Sequence, residues 1–427
     1  MLWLYRLLYL PALLLGAPYY LWRMRRRGGY RGSLAQRLGR VDTLPPKPPG
    51  RHRIWLQAVS VGEMLAIGPM LEAWRREGGV DIYLTTTTST GWRLAHERYG
   101  DLVAGIGYFP LDWWPFSRRA WRQVQPDLVI LTEGERWPEH IRQAQVRGVP
   151  VLSVNARLSD RSYRRMQNVR RAVAPLMAGV TRVLACSAHD AERFRDLGIP
   201  AERIETTGNI KLDVTIPLLG DVDKARLRGE LGLPPAGLVL MGSSTWAGEE
   251  AALLAAFRQA RSEGLDCSLL LVPRHAERRG EIEALLKESG MSHHFRSRGA
   301  ATGAVDVAVG DTTGEMRQFL QLADVVYVGK SLLPEGEGQT PVESAALGRA
   351  IIFGPGMANF RVIARELREQ RAVVQVPDAA ALVQEAVNLL RDPARRAALG
   401  AAAQTWHQAN VGAVERTLAV VRKALAR

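Results

Sequence analysis

The stretch IWLQAVSVGEMLAIGPMLEAWRR (54–76) contains the pattern that decides the fold. IWLQAV is short, apolar and rich in residues that favour strands, so it predicts a buried strand. MLAIGPMLEAWRR carries apolar residues at helical spacing and predicts an amphipathic helix. Between the two, Ser60 and Gly62 form a small, bendable corner, and Glu63 falls in the first turn of the helix. This unit predicts a parallel α/β fold with Glu63 at the carboxyl end of a strand.

The same alternation of strand-like and amphipathic segments continues through the chain in two series. It predicts two tandem, doubly wound Rossmann-like domains, which suits a chain of 427 residues. The strand-like segments are 54–59, 81–88, 127–133, 149–156 and 180–187, then 237–244, 267–275, 304–312, 323–331, 349–355 and 372–377. The predicted organisation is an N-terminal anchor segment (1–27), an N-terminal Rossmann-like domain (28–208), a linker (209–236), a C-terminal Rossmann-like domain (237–400) and a C-terminal helix (401–427).

The N-terminal segment carries much of the net charge of +14, because residues 1–50 hold nine basic residues and one acidic residue. Leu2–Trp22 is apolar or aromatic apart from Arg6, and roughly 20 residues are enough to cross a bilayer. The arginines that follow predict a cytoplasmic location for the rest of the chain. Because of Arg6 and Pro11, an alternative stays open in which the segment lies partly in the membrane interface instead of spanning the bilayer. A cleaved signal peptide is disfavoured, because the basic cluster follows the apolar run.

Composition and motifs argue against several function classes. The basic charge lies beside a hydrophobic segment, so we expect a membrane surface and not a nucleic acid as partner. Cys186 and Cys267 have no metal or redox spacing, the eight histidines form no ligand pattern, and we expect neither a metal nor a cofactor. No GxGxxG follows the first strand, and no GxxxxGK[ST] is present, so dinucleotide and P-loop functions lose their main support.

Several strand-to-helix corners of the second domain could bind a nucleotide. In GSSTWAGEE (242–250), Ser243 and Ser244 are expected to open a helix whose free N–H groups hold a phosphate. The alternative is a plain helix cap that uses Glu249. The other corners supply an arginine, polar groups and carboxylates for phosphate, base and ribose, namely Arg274, His275, Gly314, Glu315, Gln339 and Glu343.

The corners of the first domain mix carboxylates with arginines. Such a mixture suits a phosphorylated sugar acceptor and a base that deprotonates its hydroxyl group. The alternative is a polar rim of salt bridges. Glu63 is the candidate base, and the candidate acceptor-binding residues are Glu133, Glu135, Arg136, Asn155 and Arg157.

Nine ordered motifs carry a resemblance to a known family: AVSVGE, PDLVILTE, VNARLSDRS, TGNIKLD, GSST, LVPRH, TTGEM, ADVVYVG and PVE. With them the chain resembles the transferases of 3-deoxy-D-manno-octulosonic acid (Kdo) in lipid A synthesis, a GT-B glycosyltransferase family. The resemblance implies two Rossmann-like domains facing across a cleft. It also implies inverting, metal-independent transfer of Kdo from CMP-Kdo to a lipid A precursor at the cytoplasmic face of the inner membrane.

By position, the resemblance implies that Glu63 is the catalytic base and that the second domain binds CMP. The chain departs from the family pattern in EGQT (337–340), where members commonly read GGHN, and at Lys330, where a small residue is expected. Two alternatives stay open. One is a GT-B transferase that uses another nucleotide sugar, and the other is a catalytically degenerate scaffold that binds lipid or nucleotide.

Overall fold

A computed structural model describes residues 2–27, 33–41, 44–134, 136–170, 178–214 and 216–426. The candidate residue Glu135 lies outside the described residues, as do the side chains of Arg23, Arg25, Arg26 and Arg27. By its internal contacts the described chain divides into two compact units, Met1–Asp213 with Val411–Arg427, and Val214–Asn410. We call them unit 1 and unit 2.

Unit 1 is built on a sheet of seven strands, counted over the described residues, in the order β3-β2-β1-β4-β5-β6-β7. All of its strand pairs are parallel. The strands are β1 (His52–Gln57), β2 (Val80–Thr86), β3 (Gly105–Tyr108), β4 (Leu128–Thr132), β5 (Val151–Ala156), β6 (Arg182–Ala185) and β7 (Ile204–Thr206).

Helices connect these strands and cover both faces of the sheet. Residues 64–76, predicted as one helix, belong to two, Val61–Ala66 and Gly68–Glu77, because Pro69 cannot lie in a helix interior and instead falls in the first turn of the second helix. The helices are α1 (Leu2–Arg27), α2 (Ser33–Arg37), α3 (Val61–Ala66), α4 (Gly68–Glu77), α5 (Ser89–Tyr99), α6 (Trp114–Val124), α7 (Pro138–Gln145), α8 (Asp160–Asn168) and α9 (Ala188–Asp196).

Unit 2 repeats the architecture, with seven parallel strands among the described residues in the order β10-β11-β9-β8-β12-β13-β14. The strands are β8 (Leu238–Thr245), β9 (Cys267–Pro273), β10 (His293–Phe295), β11 (Val307–Val309), β12 (Val325–Val328), β13 (Ala350–Phe353) and β14 (Val374–Gln375). The helices are α10 (Asp221–Leu231), α11 (Glu249–Ser262), α12 (Arg279–Ser289), α13 (Met316–Phe319), α14 (Val342–Ala346), α15 (Arg361–Glu369), α16 (Ala379–Arg391) and α17 (Pro393–Asn410).

The last helix, α18 (Ala413–Leu425), belongs to unit 1 and not to unit 2. Its Leu418, Val420 and Val421 are buried in the core on one face of the first sheet. The observed units therefore differ from the predicted boundaries at two places. Residues 221–231 of the predicted linker form α10, and the chain returns to unit 1 after residue 410.

Helix α1 is attached to unit 1 through two polar side chains. The Tyr5 hydroxyl donates to Asp112 Oδ2 at 2.6 Å, and Arg6 donates to both carboxylate oxygens of Glu139 at 2.8 and 3.0 Å. Asp112 and Glu139 are fully buried, so Arg6, the charged residue of the apolar stretch Leu2–Trp22, pairs with a carboxylate inside the protein. Other α1 side chains face outward, with Trp3 78% and Leu15 84% exposed. Among the described residues, no helix combines the length and apolarity needed to cross a membrane.

Candidate functional site

Both sheets have a topological switch point. Beside the first strand of each unit the strand order reverses, so that the connections on its two sides lead to opposite edges of the sheet. In unit 1 it lies between β1 and β4, and in unit 2 between β8 and β12. Ligands of doubly wound sheets bind outside the carboxyl ends of the strands at such points. Glu63 follows β1, and Ser243 and Ser244 lie at the end of β8. The sequence therefore locates a candidate residue at the switch point of each unit.

Glu63 lies in the first turn of α3, as predicted, and three donors hold its carboxylate. Oε2 accepts from the Val59 N–H at 2.9 Å and lies 2.5 Å from Thr132 Oγ1. Oε1 lies 2.9 Å from Ser60 Oγ, which also caps the helix by accepting from the Glu63 N–H. The arrangement differs from a capping box in that the carboxylate accepts from the N–H of Val59, one residue before the N-cap Ser60, and from a hydroxyl of the neighbouring strand β4.

These contacts leave capacity at one oxygen of Glu63. A carboxylate oxygen accepts about two hydrogen bonds, and among the described residues Oε1 receives one. The residue is buried, with 7% of its surface exposed, and its hydrogen bonds fix the carboxylate in orientation. A carboxylate held in this way can take a proton from a hydroxyl group that reaches Oε1.

Glu133 lies at the end of β4 next to two cations. Its Oε2 accepts from Arg157 at 3.1 and 3.0 Å, and its Oε1 pairs with Lys211 Nζ. A Cβ built on Gly62 would lie 3.9 Å from the same Lys211 Nζ, which locates that ammonium group beside the first turn of α3. Lys211 and Arg157 therefore bring positive charge to the surroundings of Glu63. These ion pairs agree with both interpretations of the first-domain corners, a binding site for the acceptor and a polar rim of salt bridges.

Arg136 and Asn155 are tied to the protein. Arg136 donates to the Gly134 carbonyl at 2.8 Å and lies over the Phe194 ring. Asn155 is buried, and its Oδ1 accepts from the Ile210 N–H and lies 3.1 Å from Cys186 Sγ. Asn155 therefore fixes the chain after β7 through its oxygen, and its contact with an acceptor stays a prediction.

In unit 2 the corner after β8 differs from the sequence-based expectation. Ser243 and Ser244 were expected to open a helix, but β8 extends to Thr245 and α11 begins at Glu249. Ser244 has a positive φ of 54°, and the strand register shifts at this point, so the chain bulges. The free N–H groups of a helix start are therefore not at Ser243 and Ser244. Ser243 is buried and its hydroxyl donates to Met316 Sδ at 3.5 Å, whereas Ser244 is partly exposed.

Glu249 anchors a loop instead of completing the alternative Ser/Thr cap, because the helix begins at Glu249 and its N-cap, Gly248, makes no side-chain hydrogen bond. Its Oε2 accepts from the N–H groups of Trp246 and Lys330, each at 2.8 Å. Its Oε1 accepts from the Tyr327 hydroxyl at 2.6 Å and from the N–H groups of Ser331 and Leu332 at 3.0 and 3.3 Å. This one buried carboxylate joins the start of α11 to the loop that follows β12.

Arg274 and His275 follow β9 and are both exposed. The Arg274 N–H donates to the Thr245 carbonyl at 3.1 Å, which fastens this corner to the end of β8. The His275 ring packs edge-on against Trp246, with ring centres 5.0 Å apart. The backbone of this exposed arginine is thus fixed beside the Ser243–Thr245 bulge.

The remaining donor-side candidates already have partners. Glu315 pairs with Arg296 and accepts from the Thr312 hydroxyl, and Gly314 before it has a positive φ of 96°. Glu343 lies in the first turn of α14, as predicted, and Arg317 Nε donates to it at 3.1 Å. The Gln339 N–H donates to the Gly329 carbonyl at 3.1 Å, which holds the altered loop against β12.

Sequence reasoning missed three residues that the structure brings to the switch points: Thr132, Lys211 and Lys330. Thr132 is the buried last residue of β4, and only its contact with Glu63 distinguishes it from an ordinary strand threonine. Lys211 falls in the TGNIKLD motif and could have been selected from it. Lys330 was noted only as a departure from the family pattern.

A cavity of about 990 Å³ lies at the opposite, amino-terminal edge of the first sheet. His52, Asp127 and Arg182, which lie at or just before the starts of strands, are among its lining residues. The corners after the strands lie at the other edge of the sheet, so this cavity does not contain the candidate site.

Comparison with known proteins agrees with the resemblance. The family model for 3-deoxy-D-manno-octulosonic-acid transferase matches residues 32–214. A 3-deoxy-D-manno-octulosonic acid transferase of Bordetella pertussis is 35% identical over 420 residues, which covers 93% of this chain and 94% of that protein. One of Haemophilus influenzae is 33% identical over 404 residues, covering 93% and 92%.

A solved glycosyltransferase from Rickettsia africae is similar in fold, with a TM-score of 0.58 and 12% identity over 88% of this chain and 99% of that one. The predicted GT-B fold is confirmed by the two parallel sheets and by such structural neighbours. Fold alone does not define the reaction, but identity of this extent with named relatives defines the family. The chain is a glycosyltransferase that belongs to the family of 3-deoxy-D-manno-octulosonic acid transferases.

Proposed function

We propose that this glycosyltransferase transfers Kdo from CMP-Kdo to a lipid A precursor, with inversion at the anomeric carbon and without a metal ion. Family membership supports the transferred sugar. The observation that carries the mechanism is the carboxylate of Glu63, which three donors hold at the β1–β4 switch point with capacity left on Oε1.

In the proposed reaction Glu63 is the general base. An acceptor hydroxyl group near Oε1 gives its proton to that oxygen while its own oxygen bonds to the anomeric carbon of Kdo. The bond between this carbon and the phosphate oxygen breaks, and CMP leaves with the electron pair. Attack from the face opposite to CMP inverts the anomeric centre. A base in this position typically contributes 10²–10⁴-fold to the rate.

The second unit is proposed to bind CMP. Arg274 is exposed next to the bulge formed by Ser243 and Ser244, and its guanidinium can stabilise the charge that develops on the leaving phosphate. Glu343 and Gln339 line the loop and helix that follow β12, where they are proposed to contact the nucleotide. Lys211 and Arg157 support an acceptor that carries phosphate groups.

We further propose that α1 holds the enzyme at the cytoplasmic face of the inner membrane. Tyr5 and Arg6 attach the helix to unit 1, while apolar side chains such as Trp3 and Leu15 stay exposed. An exposed apolar face on an attached helix suits a location in the membrane interface. Deletion of residues 1–27 should release the protein from membranes, and full retention of the shortened chain would contradict this part of the proposal.

The decisive experiment is mass spectrometry of the lipid product. The full-length protein is incubated with CMP-Kdo and a tetraacylated disaccharide acceptor, and we expect a mass increase of whole Kdo units. Parallel reactions with other nucleotide sugars test the alternative donors. Unchanged acceptor after incubation with CMP-Kdo, from a protein that still binds CMP, would favour a degenerate scaffold.

A further inference from the structure

We infer that Lys330 is a specificity-determining residue that binds the carboxylate of the donor sugar. When no donor is bound, the carboxylate of Glu337 pairs with Lys330 instead. This inference rests on the proposed function, because it concerns the sugar-acid donor of the same site.

The position of Lys330 follows from the contacts of its neighbour Gly329. The Gly329 N–H donates to the Ser243 carbonyl at 2.8 Å, and a Cβ at this glycine would lie only 2.3 Å from the Ser244 carbonyl oxygen. The backbone after β12 therefore touches the bulge at the end of β8. Lys330 leaves the sheet at the switch point, directly beside the serines proposed to receive the donor.

The protein fixes Lys330 in place. Its backbone has a positive φ of 56°, and its N–H donates to Glu249 Oε2 at 2.8 Å. Its Nζ lies 4.2 Å from the centre of the Trp246 ring, a distance at which the ring face attracts the ammonium group. The Lys330 side chain is only 14% exposed, so its charge has lost most of its water and requires an anionic partner.

Glu337 is that partner, but it is much more exposed to solvent than Lys330. Glu337 Oε2 lies 2.5 Å from Lys330 Nζ, but the Glu337 side chain is 60% exposed. Ion pairs with a largely solvated partner contribute little net stability. A second carboxylate that arrives with its own binding energy can therefore displace Glu337, which then turns into water at low cost.

The chemistry of the donor supplies such a carboxylate. In CMP-Kdo the sugar carboxylate is attached to the anomeric carbon, the same atom that bears the phosphate. A phosphate at the Ser243–Ser244 bulge therefore brings a carboxylate within a few bonds of it, next to Lys330. CMP alone has no carboxylate, so Lys330 should increase the affinity for CMP-Kdo but not the affinity for CMP.

The test measures the affinities of the full-length protein, in detergent, for CMP and for CMP-Kdo. Lys330→Met keeps an unbranched side chain of similar length but removes the ammonium group and its charge. We expect it to weaken CMP-Kdo binding at least tenfold and CMP binding less than twofold. Lys330→Arg should restore most of the difference, and Glu337→Gln should strengthen CMP-Kdo binding severalfold without changing CMP binding.

The result that overturns the inference is an equal change for both ligands, or no change, in Lys330→Met. Weaker CMP-Kdo binding in Glu337→Gln would also overturn it, because the pair would then be a structural link that the site needs. The wild-type protein distinguishes these failures from a failure of the proposed function. If it transfers Kdo, only the role of Lys330 is rejected, and if it neither binds CMP-Kdo nor transfers Kdo, both proposals fall.

Discussion

Glu63 and Glu249 occupy matching places in the two units, since each follows the first strand of its sheet in the first turn of the next helix. Both are buried and both are held by hydrogen bonds. The kinds of donor differ. Glu63 faces one N–H group and the hydroxyl groups of Ser60 and Thr132, whereas Glu249 faces four N–H groups and the hydroxyl of Tyr327.

This difference decides what each carboxylate can do. A hydroxyl group can reverse its hydrogen bond, and Thr132 has a second acceptor in the Gln57 carbonyl at 2.9 Å. The surroundings of Glu63 can therefore adapt when its carboxylate becomes protonated. Backbone N–H groups cannot reverse, and each oxygen of Glu249 faces two of them. The same sequence signature thus gives a residue suited to proton transfer in one unit and a permanent anchor in the other.

The largest expected effect is on catalysis. Glu63→Gln should lower the rate of Kdo transfer by about 10²–10⁴-fold, because the amide cannot accept the proton of the acceptor. Stability should change little, since the amide oxygen can keep the Val59 N–H and Thr132 as donors while the hydroxyl group of Ser60 turns to accept from the amide N–H₂. Rates of product formation and thermal unfolding measure the two quantities. Near-normal turnover by the folded variant would remove Glu63 from its proposed role.

The matched substitution in unit 2 should act on stability instead. Glu249→Gln turns an amide N–H₂ toward two backbone N–H groups whichever way it is oriented. Loss of hydrogen bonds to a charged group costs about 1.5–3 kcal/mol each, so we expect at least about 3 kcal/mol of destabilisation. Denaturant unfolding of both Gln variants checks this. Equal stability of the two would show that the kind of donor is unimportant.

Thr132 tests the adaptable donor directly. Thr132→Val keeps the shape of the side chain but removes the hydroxyl group that contacts Glu63, and we expect kcat to fall about tenfold, equivalent to about 1.4 kcal/mol. KM should stay within about twofold, because the residue is not proposed to contact the acceptor. Thr132→Ser should recover most of the rate. A Ser variant as slow as the Val variant would argue against the hydroxyl.

The smallest effect concerns buried groups of unit 1 away from the switch point. Burial lowers the pKa of His140 to about 3, so the unfolded chain binds the extra proton below pH 6.5 and stability falls as pH falls, by about 2 kcal/mol at pH 5. Burial raises the pKa of Asp112 to about 6, so the folded protein binds the extra proton as pH falls. This contribution offsets about 1 kcal/mol of the stability lost through His140 at pH 5.

Thermal unfolding at pH 7 and pH 5 separates these two contributions. The wild-type protein should lose about 1 kcal/mol on acidification, and Asp112→Asn should lose about 2 kcal/mol because the offset is gone. His140→Gln should gain stability instead, since only the contribution of Asp112 remains. The same slope in all three proteins would mean that neither group responds in this range of pH.

The sequence was informative where structure is local. The strand before Ser60, the corner itself and Glu63 in the first turn all follow from periodicity and cap chemistry. Glu343 was likewise located correctly in the first turn of its helix. The alternation of segments also predicted two parallel sheets, because crossover connections force parallel pairing.

The misses concern contacts that are distant in sequence. No pattern near Thr132 indicates that its hydroxyl group lies against a carboxylate 69 residues away. No pattern near Asn155 indicates that its oxygen accepts from the N–H group of Ile210, which follows another strand. At Ser243 the error was local, since a bulge extended β8 and delayed the helix. Such choices depend on packing partners that one sequence does not display.

The return of α18 to unit 1 has a consequence for biosynthesis. The Asp213 carboxylate accepts from the N–H groups of Gly412 and Val414 at 2.6 and 2.5 Å, so the chain leaves unit 1 and re-enters it at a single point. Residues 214–410 are thus an insertion within unit 1. On the ribosome the inserted unit can be completed first, while the core that awaits Leu418 and Val421 stays unfinished until translation is nearly over.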